Sequence, residues 1–162
     1  MKQNRFFSLL SLLVLAMFLM GCPYFSDLPL SEPIYKIADN LIGEWELSGA
    51  TDGDIVIVRR TGANTMNVIK KAGSDGSETI YAAHITEIKG ELFLNVKEED
   101  DYGTYYFYKL KTDGDFKLIL MPVTSYIRET FESSAAMKAF FEANAHNSYF
   151  YTTDEETYYK KK

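Results

Sequence analysis

Cysteine is almost missing from this sequence: Cys22 is the only one in 162 residues. Beyond that position, disulfides, thiolate metal sites and cysteine nucleophiles are all excluded. Histidine is nearly as scarce, with only His84 and His146. A metal centre needs three or four converging ligands, and no His-x-His or Glu-plus-His spacing supplies them. His84 reads as a strand-face residue, and His146 as one placed near a helix end. Positive charge is in deficit, 17 Lys and Arg against 23 Asp and Glu, for a net charge of −6. Such a surface argues against nucleic acid, or an anionic headgroup layer, as the partner of a basic patch. The pattern G-x-S-x-G of a nucleophile elbow does not occur. The acidic run Glu98 to Asp101 lacks the alternating oxygen ligands of a calcium loop and reads as a solvated hairpin turn. No constellation of residues points to catalysis, to a cofactor or to a metal, so the chain is not expected to be an enzyme.

What is present begins with two cations, Lys2 and Arg5, followed by an uncharged run rich in Leu and Phe from Phe6 to Met20. That run is shorter than the roughly 20 residues a spanning helix requires. A positive start, a short apolar stretch and a small residue at its end read instead as a secretory signal. The small residue is Gly21, and Cys22 follows it directly. Leu19-Met20-Gly21-Cys22 resembles the lipobox of bacterial lipoproteins. The resemblance implies cleavage before Cys22, diacylglycerol on its sulfur and an acylated (palmitate-type) amino group. Such a chain is held at the cell membrane or the outer membrane with its domain outside the cytoplasm. In that family Pro23, in place of an Asp, is compatible with the outer membrane. One acyl chain binds a bilayer only marginally, whereas several hold a protein there stably.

The expected organisation is a signal peptide over residues 1–21, a Pro-containing tether over 22–40 and one domain over 41–162. Pro23, Pro29 and Pro33 fix φ and bias their neighbours to extended backbone, which predicts a tether rather than a packed element. From Gly43 onward, short β-like runs alternate with turn chemistry. They are GEWELSG, DIVIVRR, TMNVIKKA, ETIYAAHITEI, ELFLNVK, TYYFYKLK and DFKLILM. Asp52-Gly53, Asp75-Gly76, Asp113-Gly114 and Lys89-Gly90 supply turns that tolerate positive φ. Connections this short leave no room for crossover helices, so the strands form an antiparallel meander.

A period of two assigns the faces. Leu92, Leu94 and Val96 lie opposite Phe93 and Asn95, and Tyr106, Tyr108 and Leu110 lie opposite Tyr105 and Phe107. The second face is also partly apolar and needs a cover. The segment TSYIRETFESSAAMKAFFEANAHN provides one, with apolar residues from Ile127 to Ala145 at helical spacing. Ser133 or Ser134 is its candidate N-cap, within one long helix or two short ones. Ser148 to Thr152 is expected to be the eighth strand. TDEETYYKKK, with Thr153 and Glu156 in capping-box register, is expected to be a helix.

Gly43-Glu44-Trp45, opening the first strand of the meander, resembles the G-x-W signature of the lipocalin superfamily. The order of meander, external helix and short final strand is similar to that of uncharacterised bacterial lipocalin-like lipoproteins. The resemblance implies a mainly β fold, an eight-stranded up-and-down barrel with one or two external helices before the last strand. It also implies a tryptophan closing one end and a small cavity. The late arginine that packs on this tryptophan in the family has no counterpart, since only Arg128 follows Arg60.

The aromatic cluster Tyr102, Tyr105, Tyr106, Phe107 and Tyr108 is the most distinctive part of the domain. Inward-facing Tyr106 and Tyr108, with Trp45, Leu94 and Leu118, are the candidate lining of an apolar pocket with polar handles. The favoured alternative is that the tyrosines simply fill a narrow barrel and seat the helix. Two functions remain open from sequence. One is a lipid-anchored, non-catalytic barrel that takes a small hydrophobic ligand. The other is a tethered protein-binding module, such as an inhibitor or immunity-type partner of an envelope enzyme.

Overall fold

A computed structural model describes residues 23–50, 53–98 and 103–161. The lipobox, Cys22 included, and Tyr102 of the aromatic cluster lie outside the described residues. Among the described residues there are nine strands: β1 (Phe25–Ser26), β2 (Gly43–Leu47), β3 (Ile55–Arg60), β4 (Met66–Lys71), β5 (Glu78–Ile88), β6 (Glu91–Glu98), β7 (Tyr105–Asp113), β8 (Lys117–Pro122) and β9 (Glu156–Lys160). One α-helix, α1 (Ser134–Asn144), lies between β8 and β9. Strands β2 to β9 pair antiparallel in chain order, and β9 returns to β2 with Trp45 opposite Lys160 and Leu47 opposite Tyr158. The sheet is therefore a closed eight-stranded barrel, which removes the exposed edges of an open sheet. Strand β1 stays outside it and pairs with β7, Phe25 opposite Tyr106.

Local chemistry explains the hairpins. At the β5–β6 turn Lys89 has φ 51° and Gly90 φ 81°, positive at both central positions as a two-residue turn between twisted strands requires. Alternation along the strands then divides the apolar residues between two cores. Ile85, Leu94, Val96, Leu110 and Leu118 point into the barrel. Phe93 and Phe107 point out of it, where α1 covers them with Met137 and Phe141. Phe141 meets Phe93 and Phe107 edge-on, each with ring centroids 5.5 Å apart, a geometry suited to the ring quadrupoles. Ser133 starts the helix, its Oγ accepting from Ala136 N at 3.2 Å. At the other end the Ala145 carbonyl accepts from Tyr151 Oη at 2.6 Å and from Lys109 Nζ at 3.5 Å. These bonds satisfy a terminal carbonyl and set a cation against the helix dipole.

Three expectations are corrected. The last strand is Glu156–Lys160, whereas Ser148–Phe150 is a 3-10 turn with only Tyr151 bridged to Val123. TDEETYYKKK is thus not a helix: alternation puts Tyr158 inside and Tyr159 outside, and two strand partners override the capping signal. Ile127 and Phe131 precede the helix, which begins only at Ser134.

A further difference concerns the Pro-rich segment, which is packed against the barrel. Leu30 and Ile37 are buried. Leu30 N donates to Asn95 Oδ1 at 2.8 Å, and Ser31 Oγ lies 2.7 Å from Thr86 Oγ1. His84 Nε2 is 2.8 Å from the Ser31 carbonyl. Because a carbonyl only accepts, Nε2 carries the proton. The segment therefore straps down the outer wall of β5 and β6. It ends in a 3-10 turn, Asp39–Leu41, that closes one end of the barrel.

Candidate binding cavity

The closed end is built around Trp45, only 1% exposed. Its Nε1 donates to the Leu41 carbonyl at 3.0 Å, so the indole is tied to the turn that plugs the barrel. Lys160 Nζ stands 5.2 Å from the Trp45 ring centroid and donates to the Asn40 carbonyl at 2.9 Å. A cation over an indole face is a favourable contact, and Lys160 comes from the strand that closes the barrel. Gly43 makes room for it. Its φ is 138°, and a Cβ at this position would lie 2.9 Å from Lys160 Cε. The Gly-x-Trp spacing thus has a physical reason, since the glycine admits the lysine that covers the tryptophan.

Above this floor the barrel is not filled. A cavity of about 240 Å³ remains, lined by Trp45, Met66, Val68, Leu94, Val96 and Leu118 among others. It lies a little below the about 300 Å³ at which drug-sized sites begin. Toward the end opposite Trp45 the lining turns polar, with Lys70, Tyr81, Glu98, Tyr106 and Glu156 beside Pro23. Every residue proposed from sequence as lining, Trp45, Leu94, Tyr106, Tyr108 and Leu118, sits on this cavity. The expectation that Tyr106 and Tyr108 fill the interior is corrected, because both border open space. The helix is seated by Phe93 and Phe107 on the opposite face.

The electrostatics of the lining come from tyrosines near carboxylates. Burial, reinforced by the Glu156 charge, pushes Tyr108 up to about 12. Tyr158 is raised further, first by burial and then by its bond to Glu156, whose Oε2 accepts from its hydroxyl at 2.5 Å. Tyr81 is raised by burial and by Glu98. Around neutral pH these hydroxyls stay protonated and serve as neutral donors. Lys70 Nζ lies 5.7 Å from the Tyr81 ring centroid, at the polar end. The described lining holds no Ser, Cys, His or Asp. Its chemistry is that of a greasy slot with hydroxyl and carboxylate groups at one end.

Sequence reasoning missed Lys160, Lys70, Glu156 and Tyr158. The last two alternate at i and i+2 in ETYYK, the signal that marks them as neighbours on one strand face. No protein-family profile, curated protein or solved structure matches the chain. Fold and cavity therefore define it only by class, as a closed eight-stranded meander barrel with an internal apolar cavity.

Proposed function

We propose that this is a bacterial lipoprotein, anchored in the cell envelope through lipid on Cys22, whose lipocalin-like barrel binds a small apolar molecule without catalysis. The observation that carries the ligand reading is the cavity of about 240 Å³ in a chain whose other core is closely packed. An empty apolar space forfeits packing contacts and costs stability. A barrel that keeps one has a reason to be occupied. The polar groups gather at one end, so the favoured occupant has an apolar body and a single hydrogen-bonding end. The anchor reading rests on Leu19-Met20-Gly21-Cys22 preceded by Lys2, Arg5 and an apolar run.

Native mass spectrometry of the protein purified from its own envelope tests the ligand. A small adduct in stoichiometric amount is expected. A bare barrel with a co-purifying protein would favour the inhibitor or immunity-type module instead.

A further inference from the structure

The mouth of the cavity and the first of the described residues are at the same place. Pro23 lines the polar end of the cavity and is bridged to Thr124, and Tyr24 N donates to the Val123 carbonyl at 2.8 Å. Phe25 then pairs with Tyr106, another mouth residue. Three consecutive residues are thus fixed to the barrel before the strap turns down its outer wall. A free stretch from Cys22 to Asn40 would reach about 60 Å when extended. With Pro23 fixed at the mouth, none of that reach remains between the barrel and a lipid carried one residue earlier in the sequence.

We infer that the open end of the barrel is docked on the bilayer, so that the cavity draws its occupant from the membrane rather than from water. This rests on the lipid-anchor reading, and it adds an orientation to it. The exposed side chains at this end fit the same partner. Phe25 is 60% and Tyr126 66% exposed, both beside the Pro23–Thr124 bridge, and the Phe25 ring lies 6.5 Å from that of Tyr106. Tyr126 suits the level of the headgroups, with an apolar ring and a wet hydroxyl, and Phe25 adds apolar area that such a layer can bury. Charge supplies no alternative, because the mouth carries Lys70 together with two carboxylates, Glu98 and Glu156. The contact is therefore made by anchor and aromatics, and needs no anionic lipid.

The full acylated protein in phosphatidylcholine vesicles provides the test. Acylation consumes the native thiol, so a cysteine introduced at Asp27, next to β1, or at Asp115, in the β7–β8 turn at the Trp45 end, can be labelled alone with a fluorophore. The label of Asp27→Cys should be shielded several-fold from aqueous iodide and quenched by nitroxide lipids, and the label of Asp115→Cys should behave in the opposite way. Equal iodide quenching at both positions in acylated, vesicle-bound protein would overturn the docked orientation and leave the anchor standing. An intact mass without diacylglycerol and acyl groups would remove the anchor, and the orientation with it.

Discussion

Neighbouring residues of β6 and β7 serve two different cores. Phe93 and Phe107 face outward and are fully buried under Met137 and Phe141. Leu94 and Tyr108, one position along, face inward and border about 240 Å³ of open space. Chain chemistry is similar on the two sides, yet one is closed by interlocking aromatic rings and the other is left hollow. The difference teaches that the outer core is where stability is concentrated. A helix laid on the barrel wall can settle to close contact, whereas a closed ring of eight strands has a width fixed by strand number and cannot contract onto its contents.

The largest expected effect follows from the outer side. Phe141 touches Phe93, Phe107 and Phe150, the last at a centroid distance of 5.0 Å. Phe141→Ala should cost about 3–5 kcal/mol in denaturant unfolding. A loss below about 1 kcal/mol, smaller than for ordinary core truncations, would show that the helix is not a principal source of stability.

Alkaline pH gives an intermediate effect that samples the inner side. Tyr108 titrates at about 12 rather than 10.0 because it is buried beside Glu156. The unfolded chain therefore loses this proton first. Stability is full below pH 10 and falls as pH rises from 10 toward 12, by on the order of 2 kcal/mol for this group. Tyr158 and Tyr151, both raised by burial, add to the loss from pH 10 upward and carry it to higher pH. Tyrosinate absorbance followed during an alkaline titration checks this. Tyr108→Phe should remove this residue's share of the loss between pH 10 and 12 and leave the share of Tyr158 and Tyr151.

Most of the fold was legible from local signals. Asp75-Gly76, Lys89-Gly90 and Asp113-Gly114 marked real turns, and alternation in ELFLNVK and TYYFYKLK assigned both faces correctly. What was not legible depends on contacts distant in sequence. ETYYK becomes a strand because β2, more than a hundred residues earlier, needs a partner to close the barrel. The strap was read as a tether because Leu30 and Ile37 carry no periodicity among prolines. The groups that hold Leu30 and Ser31, namely His84, Thr86 and Asn95, are polar residues on the strands' outer face, which in sequence look like solvent contacts. Of the site, Leu94, Tyr106, Tyr108 and Leu118 were legible through alternation and Trp45 through its Gly-x-Trp setting, while Lys160 was hidden because its place over the indole depends on the distant pairing of β9 with β2.

The contrast between a filled core and a kept cavity is tested most directly by filling the cavity. Val68 borders it, between Val58 and Tyr81 on the neighbouring strands. Val68→Phe adds volume where there is space for it and suits a strand, so unfolding should show a gain of about 0.5–2 kcal/mol. The same protein should lose the small adduct seen by native mass spectrometry in the wild type. A destabilisation of about 1–3 kcal/mol, the usual result of overpacking a filled core, or retention of the adduct would contradict the account.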